Sequence, residues 1–126
     1  MATVLVVEDN ADNMLLTVML LESVGHTVLS AVDAEAGLTL ARNGRPDLIL
    51  MDVQLPGMDG LAATALLKAD VATRAIPVVA LTALAMKGDE ARIRAAGCDG
   101  YIAKPMRIQE FLAAVAAHLQ APARSD

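Results

Sequence analysis

The chain has 126 residues, 56% of them hydrophobic, with 5 Pro and 8 Gly, which suits one folded domain and excludes a chain disordered throughout. Lys plus Arg is 10 and Asp plus Glu is 15, giving a formal charge of −5, so nucleic acid is a poor main partner. The single Cys excludes an internal disulfide, and every apolar stretch is interrupted well short of the ~20 residues that cross a bilayer.

The opening MATVLVVEDN carries no basic leader and meets acid at Glu8 and Asp9, so no membrane association is expected and the expected localisation is cytoplasmic. Thr3 to Val7 is a short β-branched run that stops at acid, the signature of a strand buried on both faces. Asn10 is placed to cap a helix from Ala11 to Val24, ended by Gly25. Thr27 to Ala31 is a more polar strand, suited to a sheet edge, and Asp33 caps a second helix ending at Gly44. Asp47 to Met51 repeats the apolar strand that ends in acid, here Asp52, and Gln54 to Gly60 is dense in turn residues. A third helix is expected over Leu61 to Lys68, a fourth strand over Pro77 to Leu81, and a fourth helix over Met86 to Ala96, stopped by Gly97. A short strand, Gly100 to Ala103, precedes a last helix from Arg107 to Leu119, in which Ile108, Phe111, Leu112, Val115 and Leu119 recur at helical spacing. Residues 1–120 read as one domain and 121–126 as a flexible tail.

Five strands alternating with five helices specify an α/β domain, because parallel neighbours need crossovers and the crossovers cover both faces of the sheet. The expected architecture is a doubly wound (βα)5 fold with a five-stranded parallel sheet in the order 2-1-3-4-5, flavodoxin-like. Ligands in such sheets bind at the carboxyl ends of the strands where the order reverses, and those ends carry Glu8, Asp9 and Asp52.

Three converging carboxylates repel one another unless a cation neutralises them. An oxygen-only set favours Mg²⁺, which keeps part of its octahedron for water and phosphate oxygens. The alternative is that such acids simply open solvated loops, a reading that weakens when two strand ends at the reversal point both carry them. Thr82 and Lys104 follow the fourth and fifth strands and add a hydroxyl and an ammonium suited to phosphoryl oxygens. Neither a G-x-x-x-x-G-K-[ST] nor a G-x-G-x-x-G motif is present, so a phosphoryl donor must come from another molecule. His26 and His118 are expected at the surface, and Cys98 in the core.

VVEDN at 6–10, DLILMD at 47–52 with QLPGMDG at 54–60, PVVALTA at 77–83 and GCDGYIAKP at 97–105 together resemble the receiver domain of two-component response regulators. The likeness runs from about Thr3 to Leu119 and is strongest to single-domain members. The resemblance implies that Asp52 is the phosphoacceptor, and that Glu8, Asp9, Asp52 and the backbone carbonyl of Gln54 hold Mg²⁺. It further implies that Thr82 and Tyr101 are the switch pair, that Lys104 pairs with the phosphoryl group, and that the Lys104–Pro105 bond is cis. Gln54 and Leu84 flank the expected path of the attacking water and are expected to tune dephosphorylation. The implied partners are a sensor histidine kinase, a histidine phosphotransfer protein or a hybrid kinase, together with a downstream protein target. The protein is expected to be a monomer or weak homodimer and a self-phosphorylating switch, not a turnover enzyme. A phosphorylation-independent interaction module is the competing reading, weakened by the intact set Asp9, Asp52, Thr82 and Lys104.

Two surfaces stand out for docking. Met14, Leu15, Leu16, Val18, Met19, Leu20, Leu21 and Val24 cannot all face one sheet, so part of the first helix is expected to be exposed beside the acidic crevice. Leu84, Ala85, Met86 and Tyr101, with Ala113, Ala114, Ala116 and Ala117, form the second.

Overall fold

The computed structural model describes residues 2–83, 89–104 and 107–120. Leu84 to Met86, Pro105 and the tail 121–126 lie outside the described residues, and with them the expectations for Leu84, for the peptide bond into Pro105 and for the tail. The elements are β1 (Thr3–Val7), α1 (Ala11–Ser23), β2 (Thr27–Ala31), α2 (Ala34–Gly44), β3 (Leu48–Asp52), α3 (Gly60–Ala69), β4 (Val78–Thr82), α4 (Asp89–Ala95), β5 (Gly100–Ala103) and α5 (Ile108–Gln120). All neighbouring strands are parallel and the sheet order is β2-β1-β3-β4-β5, as the sequence pattern predicts.

Alternate residues of each central strand feed different cores. Leu5, Val7, Ile49, Met51, Val78 and Ala80 pack against Leu38 and Ala41 of α2, Ala63 and Leu67 of α3 and Ile93 of α4. Val4, Val6, Leu48, Leu50, Val79 and Leu81 pack against Leu21 of α1 and Phe111 and Val115 of α5. This two-sided burial explains why β1, β3 and β4 are almost unbroken apolar runs, whereas the edge strand β2 is partly exposed and more polar.

Side-chain caps start the first three helices. Asn10 Oδ1 accepts from Asn13 N, Asp33 Oδ1 from Ala36 N and Asp59 Oδ1 from Ala62 N, each at 2.8–2.9 Å. Gly25 and Gly97 take the left-handed conformation expected of helix stops, with φ of 91° and 105°. At the end of α2, however, the left-handed residue is Arg45 (φ 43°), not Gly44; Gly44 instead gives room to Leu29, whose Cδ1 would lie 2.7 Å from an added Cβ.

The strand ends differ from expectation by one residue. β3 runs to Asp52 and β4 to Thr82, because the ladder continues through the pair Asp52 and Leu81 and through Val53 N to Leu81 O at 3.0 Å. Pro77, expected as the first residue of the fourth strand, lies just before it, though its carbonyl still accepts from Ile49 N at 2.9 Å. Both histidines are half-buried, not surface-solvated as expected: His26 Nδ1 accepts from Ala2 N at 3.3 Å, and the His118 ring lies over Gly100. Cys98 is buried, as expected of a core thiol, with Sγ 3.8 Å from Thr64 Oγ1, and burial pushes its pKa up.

Candidate functional site

The site lies at the carboxyl ends of β1 and β3, where the strand order reverses. Glu8 extends the β1 ladder by one bond, its N–H donating to Ala31 O at 2.9 Å, and its side chain is buried. The chain then turns sharply: Asn10 N donates to Glu8 Oε2 at 3.2 Å, leaving Asp9 exposed between them. Asp52 is buried as the last residue of β3, and its Oδ1 accepts from Gln54 N at 3.0 Å. Carboxylate oxygens of Glu8, Asp9 and Asp52 all lie within 4.8 Å of one another. An oxygen-only trio at this spacing, with no His or Cys, fits a hard divalent cation such as Mg²⁺.

Lys104 closes the opposite side. Its backbone N–H donates to Thr82 O at 2.7 Å, which fixes the exit of β5 against the end of β4. Its Nζ donates to Glu8 Oε1 at 2.9 Å and to Asp52 Oδ2 at 3.1 Å, joining residues 96 and 52 positions away in the chain. Burial works against the ammonium, but the hydrogen bonds and charges of Glu8 and Asp52 outweigh it and hold the Lys104 pKa above its ordinary value. Burial, followed by the hydrogen bond with Asp52, pushes the Glu8 carboxyl above its ordinary range despite Lys104.

These residues line a cleft of about 340 Å³ together with Asn10, Asn13, Gln54 and Ala83. Thr82, at the end of β4, is buried and hydrogen-bonded or otherwise engaged, and its neighbour Ala83 reaches the cleft. Tyr101 does not line the cleft. Its ring is 41% exposed on β5, and its hydroxyl donates to Glu90 Oε1 of α4 at 2.7 Å, which raises the phenol pKa. Sequence reasoning missed Glu90 because nothing local pairs positions 90 and 101. It also missed Asn13, although the four-residue step from Asp9 across the start of a helix is a readable signal.

The sequence from residue 4 to 116 matches the model of the response regulator receiver domain. The chain belongs to that family. The receiver is 48% identical over 117 residues to the polar-differentiation response regulator DivK of Brucella anthropi, covering 93% of this chain and 95% of that protein. Its fold is similar to that of a receiver domain of a signal transduction histidine kinase from Syntrophus aciditrophicus, with TM-score 0.90, 30% identity, and coverage of 100% of this chain and 96% of that one. It is also similar to the receiver domain of a sensor histidine kinase from Pseudomonas aeruginosa PAO1, solved with a magnesium ion coordinated in the active-site cleft. There the TM-score is 0.87 and the identity 35%, over 94% of this chain and 97% of that one.

Beside the cleft, the receiver exposes apolar surface on α1, as the crowded apolar sequence predicts. Leu15 and Met19, four residues apart, are 60% and 59% exposed, and Leu16 adjoins them. On α5, Ala113, Ala116 and Ala117 are exposed and Ala114 is half-buried. No helix among the described residues is long and apolar enough to cross a membrane.

Proposed function

We propose that the protein is a phosphorylation-driven switch in two-component signalling that takes a phosphoryl group onto Asp52 from a phosphohistidine. The observation that carries this reading is the bridge from Lys104 Nζ to both Glu8 and Asp52, which sets one cation against two buried acids at the reversal point of the sheet. A carboxylate oxygen of Asp52 attacks phosphorus, the P–N bond to the donor imidazole breaks, and the imidazole departs with the bonding electron pair. Glu8, Asp9, Asp52 and the carbonyl of Gln54 would hold Mg²⁺, which neutralises charge on the phosphoryl oxygens.

Both Asp52 oxygens are engaged at rest, Oδ1 by Gln54 N and Oδ2 by Lys104. Lys104 therefore releases Asp52 Oδ2 and follows the charge onto the phosphoryl group, while the Thr82 hydroxyl donates to the same group. A phosphoryl group brings about two negative charges, and drawing Thr82 and Lys104 toward it moves the ends of β4 and β5 and, through β5, Tyr101. Tyr101 then leaves Glu90, changing the surface offered to a downstream protein. The exposed stripe Leu15, Leu16 and Met19 beside the cleft suits docking of a helix from a sensor histidine kinase or histidine phosphotransfer protein. Residues 1–120 act as one receiver domain, in a monomer or weak homodimer that modifies itself and turns over no metabolite.

Intact mass after incubation with Mg²⁺ and acetyl phosphate tests the reading. One phosphoryl adduct is expected on the wild type, lost in Asp52→Ala and in chelator. If neither an adduct nor beryllofluoride binding is found, the protein is a phosphorylation-independent interaction module.

A further inference from the structure

The cleft mouth presents a physical problem to an incoming phosphodonor. A doubly charged anion must approach three carboxylates, of which Asp9 is exposed at the mouth, and the cation Lys104 is already committed to Glu8 and Asp52. The remaining polar side chains around the mouth are neutral carboxamides, those of Asn10, Asn13 and Gln54. Among the described residues no other cationic side chain lines the cleft. Asn10 is constrained, because its Oδ1 accepts from Asn13 N as the cap of α1. Asn13 differs. Its backbone N–H serves the cap and its backbone carbonyl accepts from Thr17 Oγ1 at 2.7 Å, yet its side-chain amide has no hydrogen-bond partner among the described residues. It is half-buried in the first turn of α1, so its side chain is held at the cleft wall.

We infer that the Asn13 carboxamide is a positioning residue for the donor. It offers N–H groups to a peripheral oxygen of the incoming phosphate and orients phosphorus toward Asp52 before transfer. A neutral amide suits this role, because a carboxylate there would repel the donor and a fixed cation would compete with Lys104 for the acids. After transfer, Lys104 and Thr82 hold the phosphoryl group, so Asn13 acts on capture and not on the lifetime of the phosphorylated state. This inference rests on the phosphoacceptor reading and adds to it a residue that governs donor recognition.

The test uses the full chain with Mg²⁺ and acetyl phosphate, whose phosphoryl group passes to an Asp52 oxygen as the P–O bond to the acyl group breaks and acetate leaves. The second-order rate constant for phosphorylation is measured for the wild type, Asn13→Ala, Asn13→Gln and Asn13→Asp, alongside the rate of phosphoryl loss once donor is removed. A hydrogen bond to a charged group supports an expected fall of about five- to tenfold in Asn13→Ala, with partial recovery in Asn13→Gln and a larger fall in Asn13→Asp. The rate of phosphoryl loss and the apparent affinity for Mg²⁺ are expected to stay within about twofold of wild type. An unchanged rate constant in Asn13→Ala overturns the inference. A parallel change in phosphoryl loss or Mg²⁺ affinity also overturns it, by placing Asn13 on the metal's water shell. If the wild type accepts no phosphoryl group, the phosphoacceptor reading fails first and the inference falls with it. Position 13 tolerates these changes structurally, since an acidic or small residue in the first turn of a helix is favourable or neutral.

Discussion

Glu8 is a buried carboxylate whose charge is disfavoured, by burial first and by its hydrogen bond with Asp52 second. A folded-state pKa above the ordinary 4.5 means that its contribution to stability is complete below pH 4.5 and is lost as pH rises through the folded value. At pH 7 it works against the fold. Glu8→Gln keeps an acceptor for Lys104 and removes the charge, so in chelator it is expected to raise stability by about 1 kcal/mol, or about 3–5 °C in a thermal melt at pH 7. A lower melting temperature would mean that the Lys104 pair contributes more than the buried charge costs. Lys104 follows the same sign in a higher window: its raised pKa gives stability that persists up to its ordinary 10.5 and is lost only as pH rises through the folded value. Burial thus favours the neutral form of Glu8 while its two acid partners favour the charged form of Lys104, and a divalent ion beside Glu8 would offset the cost of its charge.

At the scale of elements, the position of Asp52 depends on how α3 meets β3. Gly60 N donates to Val53 O at 3.0 Å, and a Cβ on Gly60 would collide with the Asp52 carbonyl oxygen. Gly60→Ala is therefore expected to displace the end of β3 and slow phosphorylation at least tenfold, an energy of about 1.4 kcal/mol. Asp59→Ala removes only the cap of α3 and should cost about 1 kcal/mol of stability while sparing the rate of adduct formation. Comparing adduct formation with urea unfolding for the two variants separates the effects; equal losses of rate would argue against a steric role for Gly60. At the far end of the sheet, Lys68 Nζ donates to Arg74 O, Ile76 O and Asp99 Oδ2, tying α3 to the segments before β4 and β5. Lys68→Met removes these bonds and is expected to cost about 1–3 kcal/mol in urea unfolding without altering phosphorylation.

Element types and strand order were legible because β1, β3 and β4 are almost unbroken apolar runs with capped helices between them. The acids were legible for the same reason, standing where such runs stop. What stayed hidden depends on contacts across the chain. Arg45 takes the left-handed conformation while Leu29 of β2 occupies the space a Cβ on Gly44 would need, and the Tyr101–Glu90 bond joins β5 to α4. The half-burial of His118 arises from its seat over Gly100, a small residue on a different element.

For the whole molecule, the site sets the buried carboxylates Glu8 and Asp52 in a largely apolar interior, so an ion that offsets their charge should stabilise the entire fold. Mg²⁺ at about 100 times its dissociation constant is expected to add about 2.7 kcal/mol, read as a rise in melting temperature. Asp9→Ala should abolish most of that rise while leaving the chelated protein no less stable, since Asp9 is exposed and no ion pair involves it among the described residues. A rise of equal size in Asp9→Ala would place the ion elsewhere.

The bridge made by Lys104 also bears on synthesis at the ribosome. Glu8 and Asp52 emerge long before Lys104, and β1, β2 and β3 can pair before β5 exists. A nascent chain halted before residue 100 would carry its acids without their counter-charge and without the strand that fixes it. Competence to carry a signal therefore arrives late in translation, and a prematurely terminated product would be a poor competitor for the donor of the finished protein.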